Sequence, residues 1–207
     1  MLQLTAAMQA EGAFPAWVPY LHTTDIAASV AAILADGGRA LGPRMDIAEG
    51  SFAMLTDPFG TPFYLMKPNP PADRPDAGSD VFARAKPQHV RWNELASPDF
   101  AGAKAFYAKH FGFAFNTSMP MGSMGDYCFI NQGDLTLGAI MQRQHADQPP
   151  LWTLYFGVPE ITVAAAAVTA GGGIIMVGPH EVPGGEYNVI ARDPQGAVFG
   201  LVGPKGA

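Results

Sequence analysis

The chain has 207 residues, 48% of them apolar and only 14% charged, with a formal net charge of −6. That length allows one large or two small domains, each with a real core. The acidic balance and the lack of any Lys/Arg run exclude nucleic acid and acidic membrane surfaces as partners. No apolar run approaches the ~20 residues that span a bilayer. MLQLTAAMQAEG carries no basic residue ahead of its apolar part, so a signal peptide is not expected and a cytoplasmic location is. A charged share this far below the ~25% of an average soluble protein leaves little polar surface, and part of the deficit is expected to be an interface.

In chain order, LQLTAAM (residues 2–8) reads as a short strand, and EGAFP as a loop into a strand beginning at Trp17. Asp25 is the expected N-cap of a helix through Ala35, with Val30, Ile33 and Leu34 toward the core and Gly37-Gly38 as its end. ALGPRMDI, SFAMLTD and PFYLMKP follow as strands, the last two joined by a turn at Asp-Pro-Phe-Gly. KPNPPADRPDAGS is dense in proline and glycine without periodicity, which marks a linker, here placed over residues 69–86. His89 to Ala96 alternates like a strand. Ser97-Pro98-Asp99 then opens the helix FAGAKAFYAKHF, with Ser97 as the cap and Pro98 in the first helical position, and Gly112 ends it. Three strands are expected next, FAFNTSM, DYCFINQ and LTLGAIM, with Gln132-Gly133-Asp134 as the turn between the last two. The single cysteine, Cys128, sits in the apolar run Tyr-Cys-Phe-Ile and is expected to be a buried, inert thiol.

Residues 152–204 repeat residues 17–68 with a single one-residue gap. Trp17 falls on Trp152, Tyr20 on Tyr155, Gly37-Gly38 on Gly172-Gly173, Asp57-Pro58 on Asp193-Pro194, Gly60 on Gly196 and Phe63 on Phe199. The match runs backward as well, laying residues 2–17 on 137–152. Such a repeat fixes architecture more firmly than local propensity does. The fold class is therefore α+β: repeated βαβββ modules forming curved mixed sheets with helices on the outer face. Residues 87–207 hold two complete modules. Residues 1–68 hold one module preceded by the last strand of another, as if about fifty residues corresponding to 87–136 were missing from the front. A lone βαβββ sheet leaves an apolar face and an edge open. Residues 1–68 are thus expected to pair with a symmetry mate, completing the N-terminal module in a homodimer, or with the other domain; the alternative is a translation start placed too late.

This order, with WNEL…AKAFYAKHFGF opening one module and DPQGAVFGL and DPFGTPFYL closing two others, resembles the vicinal oxygen chelate superfamily of glyoxalases, bleomycin-resistance proteins and extradiol dioxygenases. It is most similar to the two-domain bacterial glyoxalase-like proteins. In that superfamily the inner sheet face typically carries metal ligands, one from the first and one from the last strand of each module, the latter usually Glu. Carried over residue by residue, the first-strand positions are Trp92, Thr153 and Val18, and the last-strand positions Gly200 and Tyr64. None is a good ligand, so the resemblance implies no metal and no cofactor here, with a divalent metal held by other residues as the alternative.

Strand alternation says what the same face presents instead. Leu154, Phe156 and Val158 should point to the helices, and Thr153, Tyr155 and Gly157 to the cavity. Val90, Trp92, Glu94 and Ala96 should share that face in the preceding module, and Val18, Tyr20 and His22 should share one with Tyr64 in the first. The candidate ligand-binding set is Trp92, Glu94, Thr153, Tyr155, Tyr20, His22 and Tyr64, an aromatic face of the kind that takes a small hydrophobic or flat molecule. Glu94 is the catalytic candidate: a carboxyl raised by desolvation is a plausible base for a proton next to a carbonyl. The competing reading of Glu94 is a cap or a pair with Arg91, and that of His22 a hydrogen-bonded structural residue. His89, His110, His145 and His180 fall on a strand edge, a helix and two loops and are expected to be solvated. Function thus reads as metal-free binding of a small ligand, or as an enzyme of lyase, isomerase or dioxygenase type using Glu94 or a divalent metal.

Overall fold

The computed structural model describes residues 3–206. In chain order the elements are α1 (Ala6–Ala10), β1 (Tyr20–His22), α2 (Ile26–Ala35), β2 (Arg39–Ala40), β3 (Met45–Ile47), β4 (Gly50–Thr56), β5 (Pro62–Pro68), β6 (Val90–Ser97), α3 (Phe100–Phe111), β7 (Ser118–Pro120), β8 (Asp126–Gln132), β9 (Leu135–Gln142), β10 (Leu151–Gly157), α4 (Ile161–Ala170), β11 (Ile174–Val182), β12 (Glu186–Arg192) and β13 (Val198–Gly203). Parallel and antiparallel pairs occur together in the sheets, as the βαβββ reading requires. Among the described residues no helix is long and apolar enough to cross a membrane.

The chain divides into two compact units, one of residues 1–17, 81–91 and 153–207 and one of residues 18–80 and 92–152. In the second, β1 lies parallel to β5, β5 antiparallel to β4, and β4 antiparallel to β2 and β3. A second array in the same unit sets β6 parallel to β9, β9 antiparallel to β8, and β8 antiparallel to β7. The two arrays share α3. Phe63 of β5, fully buried, meets the rings of Phe106, Tyr107 and Phe111 at centroid distances of 6.4, 6.2 and 5.7 Å. Burying a phenyl ring of this kind is worth about 1.5–3 kcal/mol. A buried polar relay runs through the contact: Trp152 Nε1 donates to the Tyr107 hydroxyl, which donates to Asp57 Oδ2, each at 3.2 Å. Asp57 Oδ1 in turn accepts from the N–H groups of Phe59 and Thr61, closing the Asp-Pro-Phe-Gly turn.

In the other unit β10 lies parallel to β13, and β12 antiparallel to β13 and β11. Helix α4 covers one face, where Ile161, Val189, Ala191 and Leu201 form a core flanked by Phe156 and Val158. Phe156 of β10 and Val158 just after it thus face the α4 side, as alternation predicts. Trp17 packs its ring on Phe156 (5.2 Å, edge to face) and Phe199 (6.4 Å). Gly157 gives its N–H to His89 O at 2.9 Å and accepts from Gln88 N at 2.8 Å.

Local structure departs from the sequence reading at several points: the strand expected from Trp17 begins at Tyr20, ALGPRMDI holds two short strands, Arg39–Ala40 and Met45–Ile47, and of FAFNTSM only Ser118 and Met119 lie in a strand. Of the strand expected over residues 2–8, residue 2 lies outside the described residues and Ala6–Ala10 is helical, capped by Thr5, whose hydroxyl accepts from Met8 N. The repeat counterpart lies in β9, flanked by β6 and β8. The N-terminal copy has neither neighbour among the described residues, and an Ala-rich stretch without a ladder satisfies its backbone locally. Helix α3 is capped by Asp99, whose carboxylate accepts from Gly102 N at 2.8 Å; Ser97 accepts from Asp99 N and ends β6 instead. On α2, capped by Asp25 as expected, Ile26 and Ile33 are buried and Leu34 is exposed.

Candidate functional site

Strand β6 puts Trp92 and Glu94 on one face, two residues apart, and Tyr127 of β8 joins them. Trp92 Nε1 donates to the Tyr127 hydroxyl at 2.8 Å, and that hydroxyl donates to Glu94 Oε2 at 2.8 Å. Phe129, two residues along β8, sets its ring at 6.0 Å from both Trp92 and Tyr127, nearly perpendicular to each. Ala139 of β9, fully buried, is the register partner of both Glu94 and Phe129. All four side chains are half-buried. Arg91 does not pair with Glu94: its guanidinium forks onto the two carboxylate oxygens of Glu186 at 2.9 and 2.8 Å. The face thus consists of three aromatic rings and a carboxylate oriented by a phenol.

Tyr127 was absent from the candidate set. The signal was present in DYCFINQ: once Cys128 and Ile130 are assigned to the core, alternation sends Tyr127 and Phe129 to the opposite face. Cys128 is indeed buried, and desolvation pushes its thiol up.

In the other unit, Tyr155 pairs in register with Gly200 and is 4% exposed. Its ring fills the space beside Gly200, so that a Cβ added there would overlap Cγ, Cδ1 and Cε1 of the ring. Thr153, two residues before it on the same face of β10, is half-buried.

The corresponding pair in the first module is Tyr20 and Tyr64, also in register. Their rings stack at 4.6 Å with planes 11° apart, and Phe52 of β4 stands edge-on to both at 6.4 and 5.8 Å. Burial, and then the neighbouring Tyr20, push the Tyr64 phenol up. His22 lies on the same face of β1, exposed, opposite Met66.

The remaining histidines separate. His110 is not solvated: its side chain is 6% exposed, and its Nε2 lies 2.8 Å from Asp36 Oδ2. The Lys109 ammonium, and after it His110, hold that carboxyl below the usual range. His180 lies on β11 rather than in a loop, and it is exposed, as is His145. His89 is half-buried, its Nδ1 2.8 Å from Pro87 O.

The positions that the resemblance assigns to metal ligands, Trp92, Thr153, Val18, Gly200 and Tyr64, carry no carboxylate, imidazole or thiolate. The place of a last-strand carboxylate at position 200 is filled by the Tyr155 ring, and the equivalent place in the first module by stacked phenols. Among the described residues no three His, Cys, Asp or Glu side chains converge. Two surface depressions of about 310 Å3 flank Phe59, one reaching Arg39 and Leu41, the other Gly102 and Phe106. Neither is lined by any candidate residue.

Comparison with known proteins places this arrangement. The profile of the Glyoxalase/Bleomycin resistance protein/Dioxygenase superfamily matches residues 86–201. The chain belongs to this superfamily. It is similar to "Putative glyoxylase CFP32" of Mycobacterium bovis, 29% identical over 195 residues covering 94% of this chain and 72% of that protein. The anthracycline biosynthesis protein DnrV of Streptomyces peucetius is 26% identical over 134 residues, 58% of this chain and 48% of the relative. The Mn(II)-bound glyoxalase from Novosphingobium aromaticivorans superposes with a TM-score of 0.59 at 18% identity, over 89% of this chain and 61% of that one. The superfamily chain described here therefore spans less than two thirds of that solved structure's length. At this identity the likeness shows the shared fold, with the helices and mixed sheets expected of it.

Proposed function

We propose that this superfamily member binds a small flat or hydrophobic molecule on the aromatic face of β6 and β8. Trp92 and Phe129 supply the stacking surface and Glu94 the polar anchor. The observation that carries the reading is the chain of hydrogen bonds from Trp92 through Tyr127 to Glu94, which fixes both an indole and a carboxylate on a half-buried apolar face. Thr153, Tyr155, Tyr20, His22 and Tyr64 are the further candidates for ligand contact on their own faces. The relatives' names, a glyoxylase and an anthracycline biosynthesis protein, support a small organic molecule as the ligand class. The test is fluorescence titration with Nile red, a neutral planar dye. Saturable one-to-one binding that Trp92→Ala weakens at least tenfold supports the reading; binding indifferent to Trp92 overturns it.

The phenol on Glu94 favours a second reading, in which this carboxylate acts as a base toward a proton next to a carbonyl. Tyr127 holds Oε2 in place, as positioning of a base requires. Deuterium wash-in next to the carbonyl of phenylacetone, followed by NMR, tests it. Exchange above the solvent rate that Glu94→Gln abolishes, with the fold intact by circular dichroism, makes the protein an enzyme. Equal rates in both remove Glu94 from any mechanism.

A further inference from the structure

The turn that joins β4 to β5 carries a ring that its own geometry does not require. Asp57 Oδ1 accepts from the N–H groups of Phe59 and Thr61, and in the repeat Asp193 Oδ1 accepts from Gln195 and Ala197 in the same way. One turn thus closes with phenylalanine and the other with glutamine at the same place. A second exchange accompanies the first. Arg39 follows Gly38 as Ile174 follows Gly173, so the first copy sets a cation and a ring where the second has an aliphatic side chain and an amide.

Packing brings the two residues to one place. Register sets Arg39 of β2 beside Thr56, the residue before the turn. Phe59 lies across α3, where a Cβ added to Gly102 would overlap Cζ of its ring, so the glycine is what admits it. Tyr107, also on α3, donates to Asp57 Oδ2 and ties the turn down from beneath. The Phe59 ring is half-buried and lines two depressions of about 310 Å3 each. That volume is at the lower end of small-ligand sites, which run from about 300 to 1,000 Å3.

Charge separates the two depressions. On the side of Gly102 and Phe106 the Lys109 ammonium is paired with Asp36. On the other side Arg39 and Leu41 stand with Pro58 and Gly60, and the Asp57 carboxyl there is 1% exposed and bonded to the turn and to Tyr107. Among the described residues the Arg39 guanidinium makes no hydrogen bond or ion pair. A fork of N–H donors beside a phenyl ring, in a chain of net charge −6, complements a planar anion.

We propose that the depression between Arg39 and Phe59 binds an aromatic carboxylate, its ring against Phe59 and its carboxylate on the Arg39 guanidinium. A carboxylate matches the guanidinium fork in shape as well as in charge, whereas a neutral amide offers it a single acceptor. Leu41 and Phe59 cover the apolar part of the ligand. The site shares no residue with the face of Trp92 and Glu94, and it stands whether or not that face binds a molecule.

Isothermal titration of the 207-residue chain with 2-naphthoate, and with 2-naphthamide as its neutral match, tests it. The expected result is saturable one-to-one binding of the acid, about tenfold or more tighter than that of the amide. Arg39→Gln should remove this preference with melting unchanged, since the residue is exposed. Phe59→Gln, which copies the second turn, should weaken both compounds. Arg192→Gln, at another exposed arginine, should change neither. The proposal is overturned by equal binding of acid and amide, by the lack of saturable binding, or by a preference that survives Arg39→Gln. If Phe59→Gln melts early, Arg39→Gln decides alone.

Discussion

The Tyr155 ring occupies the space into which any side chain at position 200 would have to grow. The two residues are register partners on adjacent parallel strands, and the glycine is what lets the ring lie down between them. In the first copy of the repeat the same two columns hold Tyr20 and Tyr64, and there the rings stack instead. Both solutions fill these two columns with aromatic carbon.

Gly200→Ala should therefore destabilise the protein by about 1–3 kcal/mol, the usual cost of overpacking a tight contact. Tyr155→Ala should cost more alone, yet the double variant should be less unstable than the sum, because the methyl would occupy part of the vacated space. Urea unfolding of the four proteins measures this; strict additivity would show that the ring and position 200 do not interact.

Asp57 is buried, and desolvation raises its carboxyl above the usual range, with the Thr61, Phe59 and Tyr107 hydrogen bonds pulling the other way. A carboxyl raised on folding contributes stability below its unfolded pKa, and that contribution is lost as pH rises through the folded one. Asp57→Asn keeps an acceptor for Phe59 and Thr61 and replaces the acceptor of the Tyr107 hydroxyl with an amide N–H. Its stability relative to wild type should rise between pH 3 and pH 7. A difference that stays flat with pH would show that Asp57 ionises as easily folded as unfolded.

Glu160 has the opposite sign. It caps α4, accepting from the Thr162 hydroxyl and the N–H groups of Gly206, Thr162 and Val163, and these bonds lower it to about 2. Its contribution is complete above the unfolded value and lost as pH falls from about 4.5 toward 2. Glu160→Gln should flatten that acid limb, read as the melting temperature against pH.

Tyr127→Phe removes the acceptor of the Trp92 indole and a donor to Glu94 while keeping the ring against Phe129. A loss of about 1–2 kcal/mol in stability is expected, together with a shift in indole emission. If Nile red affinity falls with it, the phenol orders the binding face; unchanged affinity with lower stability would confine Tyr127 to structure.

Much of the fold was legible because it was written twice. The duplicated turns at Asp57 and Asp193, the helix ends at Gly37-Gly38 and Gly172-Gly173, and the alternation of Phe156 and Val158 all follow from local pattern. Pairing Trp92 with Glu94 on one face needed only the period of a strand. What failed depended on neighbours. LQLTAAM has the pattern of a strand, but a strand forms only where another lies beside it. His110 looks like a surface histidine on its own helix, and it is buried because α2 brings Asp36 to it.

By itself, then, the sequence determined the α+β class and the alternation of faces along its strands, because repeats and strand periodicity are properties of the chain alone. Tertiary structure decided which contacts those residues make: that Tyr127 links Trp92 to Glu94, that the Tyr155 ring fills the space beside Gly200, and that Arg91 pairs with Glu186. Hydrogen bonds and ring contacts between strands far apart in sequence depend on register, and register is fixed only when the sheets assemble.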